Sequence, residues 1–146
     1  MLLRRALSRG HGSEISMILA GRRILVVEDE YFLAIDLARS LEDQGAIVVC
    51  PARSVAEALT LVAAEGARLD GAVLDINLAG DRVYPVVDAL KALHVPHFFL
   101  TAYEASFIDN AYGDVRRLQK PLEMSQLFRV FSENQKNGAD RNGQVS

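Results

Sequence analysis

Little in this chain could cross-link it, anchor it in a membrane or draw it to a charged polymer. It has one cysteine, Cys50, in 146 residues, so no intramolecular disulfide can form, and a reducing, cytoplasmic setting fits. Cys50 closes the apolar run 46–50 and reads as a small buried hydrophobe rather than a reactive thiol. No apolar stretch approaches the ~20 residues of a membrane span, so no membrane insertion is expected. The opening segment MLLRRALSRGHGSEISMILAG lacks a continuous apolar stretch followed by a clean cleavage site and is not read as a signal peptide. Basic residues are not in excess. Sixteen Lys and Arg stand against 19 Asp and Glu, a net charge of −3, which excludes a general attraction to nucleic acid. The three histidines, His11, His94 and His97, have no metal-ligand spacing with the cysteine or with each other.

What is present is an ordinary globular composition, 50% hydrophobic and 24% charged, at a length that suits one domain with one core. Residues 1–20 read as a flexible extension, because Ser8, Gly10, Gly12 and Ser13 are poor core formers. Residues 135–146 (QKNGADRNGQVS) have no apolar pattern and read as a disordered tail. Between them, 21–134 alternate. Short apolar runs at 24–28, 46–50, 71–74, 96–100 and 115–118 read as strands. Helical stretches are expected at Tyr31–Gln44, Ser54–Glu65, Val83–Leu93, Glu104–Ala111 and Leu122–Glu133. Gly45 and Gly66 serve as stops, and Ser54 with Glu57 fits a capping box. The runs are continuous rather than alternating, so the sheet is buried on both faces and therefore parallel. The fold class is α/β, a five-stranded parallel sheet with five helices on its two faces.

Four short pieces carry polar residues at the ends of these runs: Glu28-Asp29 after ILVV, Asp75 after GAVL, Thr101 after FFL, and Lys120 before Pro121. In a parallel sheet the C-terminal strand ends share one edge, where ligands bind. Three carboxylates, a hydroxyl and an ammonium would then meet in one pocket. Two such like charges ~4 Å apart repel by roughly 4 kcal/mol at an effective dielectric of ~20. A hard divalent cation, Mg²⁺ or Mn²⁺, relieves that repulsion. Asp75 is then placed to act as a nucleophile toward a phosphoryl group, with Lys120 and Thr101 on the phosphoryl oxygens. Each residue alone is commonplace; their order on consecutive strands is not.

ILVVEDE, VLDINLAG, FFLTAY and QKP resemble the landmarks of response-regulator receiver domains of two-component systems. The resemblance covers about residues 22–134. It implies a doubly wound, flavodoxin-like sheet of order 2-1-3-4-5, with Asp75 accepting a phosphoryl group from a histidine kinase or a histidine phosphotransfer protein. It further implies metal binding by Glu28, Asp29, Asp75 and the backbone carbonyl of Asn77, with Asp29 the direct ligand of the acidic pair. Thr101 and Lys120 match two switch-coupled polar residues. Ala102 matches a position kept small so that the phosphoryl donor can approach. Such a domain is a phosphoacceptor signalling module with self-phosphorylation and autodephosphorylation chemistry, not a conventional enzyme. With the chain ending after the fifth helix, output is expected through an unidentified downstream protein.

The sequence departs from that family at three places. Arg117 stands where an aromatic is usual, so the usual inward rotation of that aromatic cannot operate, and Tyr103 is the candidate substitute. The spacing between Thr101 and Lys120 is short, which shortens the fourth helix. The loop NLAGDRVYP lacks the early proline. With FFLTAY, it resembles an atypical group of stand-alone alphaproteobacterial receivers. Helix one opens with Tyr31, Phe32, Leu33, Ala34 and Ile35, more apolar residues than one buried face can hide. Leu33, with Leu122 across the site, is the candidate docking spot. An aspartyl-nucleophile phosphohydrolase is the alternative reading. It would normally place an acid two residues after the nucleophile, where this chain has Asn77. A nucleotide or flavin binder would need a Gly-, Ser- or Thr-rich loop after strand one, and the acidic EDEYF would repel a bare phosphate.

Overall fold

The computed structural model describes residues 19–101, 108–120, 122–123, 125–127 and 129–131. Five strands, β1 (Arg23–Val27), β2 (Ile47–Ala52), β3 (Gly71–Asp75), β6 (His97–Thr101) and β7 (Arg116–Gln119), form one sheet in the order β2-β1-β3-β6-β7. All neighbouring pairs are parallel. Counting only these five gives the expected order 2-1-3-4-5. Two further strands, β4 (Asn77–Leu78) and β5 (Asp81–Arg82), make a separate hairpin. This corrects the reading of NLAGDRVYP, which begins at Asn77, as plain loop.

The continuous apolar strands split by period two between two cores. Leu25, Val27, Ala72, Leu74 and Phe99 face one layer, with Ala58 and Val62 of α2 (Val55–Glu65) and Val86, Val87 and Leu90 of α3 (Tyr84–Ala92). Ile24, Val26, Val73, Phe98 and Leu100 face the other, with Leu41 of α1 (Tyr31–Asp43) and with Leu127, Val130 and Phe131. Residues 125–127 and 129–131 are helical. Helices thus cover both faces, as continuous hydrophobic strands require. Leu19 is fully buried in the second core, so the packed unit starts two residues before the expected boundary at 21.

The helix signals act as expected at two positions. Ser54 Oγ accepts from the Glu57 N–H at 3.1 Å, and Glu57 Oε1 accepts in return from the Arg53 N–H at 2.9 Å, a capping box closed one residue early. Gly45, past the end of α1, has φ +95°, the left-handed stop that glycine provides. Gly66 works differently. It stays right-handed and leads into a 3-10 turn, Gly66–Arg68; a Cβ there would meet the tip of the exposed Leu93 side chain, which would have to turn aside.

The expected helices at Tyr31–Gln44 and Val83–Leu93 end one residue early, and the latter also starts one residue late. The expected fourth helix falls partly outside the described residues. Its described end is a bend followed by a 3-10 turn, Asn110–Tyr112. That segment is clamped to α3. Tyr84 and Tyr112 stack with ring centroids 4.2 Å apart, and the Tyr112 hydroxyl donates to Asp88 at 3.0 Å. No described helix is long and apolar enough to cross a membrane.

Candidate functional site

The carboxyl edge of the sheet gathers the acids. Glu28 follows directly on β1, where its N–H donates to Ala52 O at 2.9 Å and continues the pairing with β2. This extra ladder bond draws the residue inward, and Glu28 is only 2% exposed. Its Oε1 accepts from the Glu30 N–H at 3.3 Å, and its Oε2 accepts from Lys120 Nζ at 3.1 Å. Asp75 ends β3. Its Oδ1 accepts from the Asn77 N–H at 3.4 Å, and its Oδ2 lies 3.5 Å from Lys120 Nζ. Asp29 is half-buried and accepts from the Ala79 N–H at 3.0 Å on Oδ2. One carboxylate oxygen from each of Glu28, Asp29 and Asp75 lies within 4.8 Å of the others.

Lys120 reaches this cluster because its own N–H donates to Thr101 O at 2.7 Å, extending the β6–β7 ladder. Thr101 lies opposite Gln119 in that ladder. Glu28, Asp29, Asp75 and Lys120 therefore meet in one cluster, and Thr101 ends the strand beside the one that carries Lys120.

Three carboxylates face one ammonium, and the imbalance shows in the titration of the group that cannot reach water. Burial, then the charge of Asp75, pushes Glu28 up to about 7, against the opposing hydrogen bond and charge of Lys120. For Lys120, burial acts downward, but the charge of Asp75 and the hydrogen bond and charge of Glu28 outweigh it, and its pKa is raised. Lys120 is thus held as a cation, and Glu28 is poised near neutrality. Surplus negative charge on close, partly exposed oxygens is the donor set of a hard divalent cation; the residues fit Mg²⁺ or Mn²⁺.

The remaining candidates scatter. Asn77 begins β4 beside Asp75, with an exposed side chain. Arg117 is exposed on β7. Leu33 is 41% exposed on α1 next to Phe32, at 78%, whereas Leu122 is half-buried against the second core. Ala102, Tyr103, the N-terminal and C-terminal tails and the Cys50 side chain lie outside the described residues. The Ala79 N–H is the contact that sequence reasoning missed. Ala79-Gly80 is a weaker hairpin signal than Asn-Gly or Asp-Gly, and a backbone donor leaves no residue-type signature.

No family model matches the chain. The phyllosphere-induced regulator PhyR of Methylorubrum extorquens is 33% identical over 125 residues, covering 84% of this chain and 46% of that protein. The chain spans about half the length of the curated relatives it matches. SdrG from Sphingomonas melonis is similar in structure, with a TM-score of 0.67 and 34% identity over 77% of this chain and 94% of SdrG. The BeF3-activated conformation of SdrG is similar at a TM-score of 0.65 and 35% identity, over 77% and 95%. The receiver domain of the Erythrobacter litoralis PhyR response regulator matches at a TM-score of 0.67 and 25% identity, over 78% and 89%. The chain belongs to the response-regulator receiver family of two-component signalling, in its PhyR- and SdrG-like alphaproteobacterial type.

Proposed function

We propose that the domain, about residues 21–134 together with Leu19, is a phosphorylation-dependent signalling module whose acceptor is Asp75. The observation that carries this reading is the position of Asp75 within the acid trio and 3.5 Å from the Lys120 ammonium. A carboxylate oxygen of Asp75 attacks the phosphorus of a phosphohistidine on a kinase or phosphotransfer protein. The new O–P bond forms as the P–N bond breaks. The electron pair stays on the imidazole nitrogen, which takes up a proton.

Glu28, Asp29, Asp75 and the Asn77 carbonyl would hold Mg²⁺, which neutralises the acids and the incoming phosphoryl charge when bound. Lys120 leaves its contact with the free Asp75 carboxylate for a phosphoryl oxygen, and Thr101, on the neighbouring strand, donates its hydroxyl to another. Ala102 leaves room for the donor. The signal passes to protein partners through docking on the exposed start of α1, centred on Leu33 with Leu122 across the site. Tyr103 replaces the usual strand aromatic that Arg117 displaces. A BeF3-activated form of SdrG supports an acceptor role for the equivalent site here.

The test is intact mass after incubation with acetyl phosphate, with and without Mg²⁺, beside Asp75→Asn. A Mg²⁺-dependent gain of one phosphoryl group, absent in the variant, is expected. A gain that persists in Asp75→Asn overturns the assignment of the acceptor.

A further inference from the structure

The hairpin between Asp75 and α3 sits on the site, yet contributes no side chain to it. Asn77 pairs with Arg82 and Leu78 with Asp81, so only Ala79 and Gly80 turn the chain. Both have positive φ, 53° and 94°, which is the signature of a type I′ turn. Glycine takes this backbone freely; alanine rarely does. The base of the hairpin is firmly set. Leu78 is buried in the first core, and the Val83 N–H donates to Ile76 O at 2.9 Å. In a two-residue turn the first central N–H is not needed by the ladder. Here that N–H, of Ala79, donates to Asp29 Oδ2 at 3.0 Å across 50 residues of sequence.

The three acids do not share the same restraints. Lys120 holds Glu28 and Asp75. Asp29 is half-buried, and among the described residues its hydrogen bond is to Ala79. Repulsion from two neighbouring carboxylates favours a swing of its side chain toward water, away from them. A charge-assisted bond from a rigid backbone donor opposes that swing.

We propose that the β4–β5 hairpin is a positioning device for Asp29. Its left-handed turn aims the Ala79 N–H at one carboxylate oxygen and so keeps Asp29 within reach of a divalent cation shared with Glu28 and Asp75. The metal half of this inference rests on the Mg²⁺ reading above; the anchoring half does not. Backbone geometry at residue 80 then sets metal affinity without any change of ligand.

The experiment uses the full chain and Mg²⁺ alone, titrated by calorimetry, with amide exchange of Ala79 followed by NMR in EDTA. Gly80→Val, which resists positive φ, should weaken Mg²⁺ binding about tenfold, as loss of an outer-shell partner does. Gly80→Asn tolerates left-handed backbone and should restore most of that affinity. Arg68→Gln, exposed in the 3-10 turn before β3 at the opposite edge of the sheet, should stay within about twofold. In EDTA, the Ala79 amide should exchange at least about tenfold faster in Asp29→Ala than in wild type, as loss of a protecting bond predicts.

A folded Gly80→Val protein that binds Mg²⁺ like wild type overturns the proposal. If that variant does not fold, an ester oxygen in place of the Ala79 N–H gives the same reading, with the same two outcomes. A wild type that binds no Mg²⁺ defeats the metal reading, and the hairpin is then judged on exchange alone. Protection of the Ala79 amide that depends on Asp29 supports anchoring, and protection indifferent to Asp29 overturns it.

Discussion

Replacing Glu28 with Gln should make the metal-free protein more stable, and the gain should grow with pH. Glu28 is 2% exposed, and burial with the Asp75 charge lifts it from 4.5 to about 7. An acid raised in the folded state binds its proton more tightly there than in the unfolded chain. Stability therefore falls as pH rises from 4.5 to about 7 and stays low above that. The shift of 7 − 4.5 = 2.5 pKa units, at 1.36 kcal/mol each, amounts to roughly 3 kcal/mol. Gln resembles the protonated acid in shape and charge, and its amide oxygen can still accept from Lys120. Glu28→Gln in EDTA should then match wild type near pH 4.5 and exceed it by roughly 3 kcal/mol at pH 8. At a urea slope of about 2 kcal/mol per molar, the midpoint rises by about 1.5 M at pH 8. With saturating Mg²⁺ the advantage should shrink or reverse, because the cation stabilises the ionised wild-type site and the amide is a poorer ligand. Equal midpoints at pH 8 in EDTA, or a gain that does not change between pH 5 and 8, would refute the account of Glu28 as a buried acid held at a cost.

Three further outcomes test the scaffold by urea denaturation. His97 is part-buried and its pKa is lowered, chiefly by burial. Its contribution is present above about 6.5 and is lost as pH falls from there toward the folded value, so His97→Gln should flatten the decline between pH 7 and 5. Ser54→Ala removes the cap on α2 and should cost about 1 kcal/mol at any pH, leaving Mg²⁺ affinity unchanged. Gly71→Ala would place a Cβ 2.8 Å from Phe131 Cε1 and 3.3 Å from Ile24 Cδ1. It should cost about 1–3 kcal/mol through overpacking between β3 and the C-terminal helical segment. A Gly71→Ala protein as stable as wild type would mean that Phe131 can move aside without cost.

Much of the fold was legible because its signals are local. ILVV, GAVL and FFL are continuous apolar runs, and such runs are strands buried on both faces whichever partners they find. Ser54 and Glu57 announce a helix start within four residues. The weaker signals failed where the reason for a residue lies elsewhere in the chain. Gly66 looks like a helix stop, but the chain stays right-handed and turns on through Gly66–Arg68, with the Leu93 side chain packed beside it. Leu19 looks peripheral among its neighbours, yet it fills the second core. NLAGDRV lacks the Asn-Gly or Asp-Gly of a strong hairpin signal and folds as a hairpin nonetheless.

Local patterns in the chain were enough to specify the strands and the residues that end them, and so to place Glu28, Asp29, Asp75, Thr101 and Lys120 along a single edge. How these groups share their charges came from the packing of distant segments. That packing buried Glu28 while leaving Asp29 and Asp75 partly exposed, placed the Lys120 ammonium between Glu28 and Asp75, and assigned Asp29 to a backbone donor 50 residues away. The difference is one of range. Strand and helix signals repeat over two to four residues, whereas burial, ion pairing and the direction of a backbone N–H depend on which distant segments meet, and no local pattern in the chain records that.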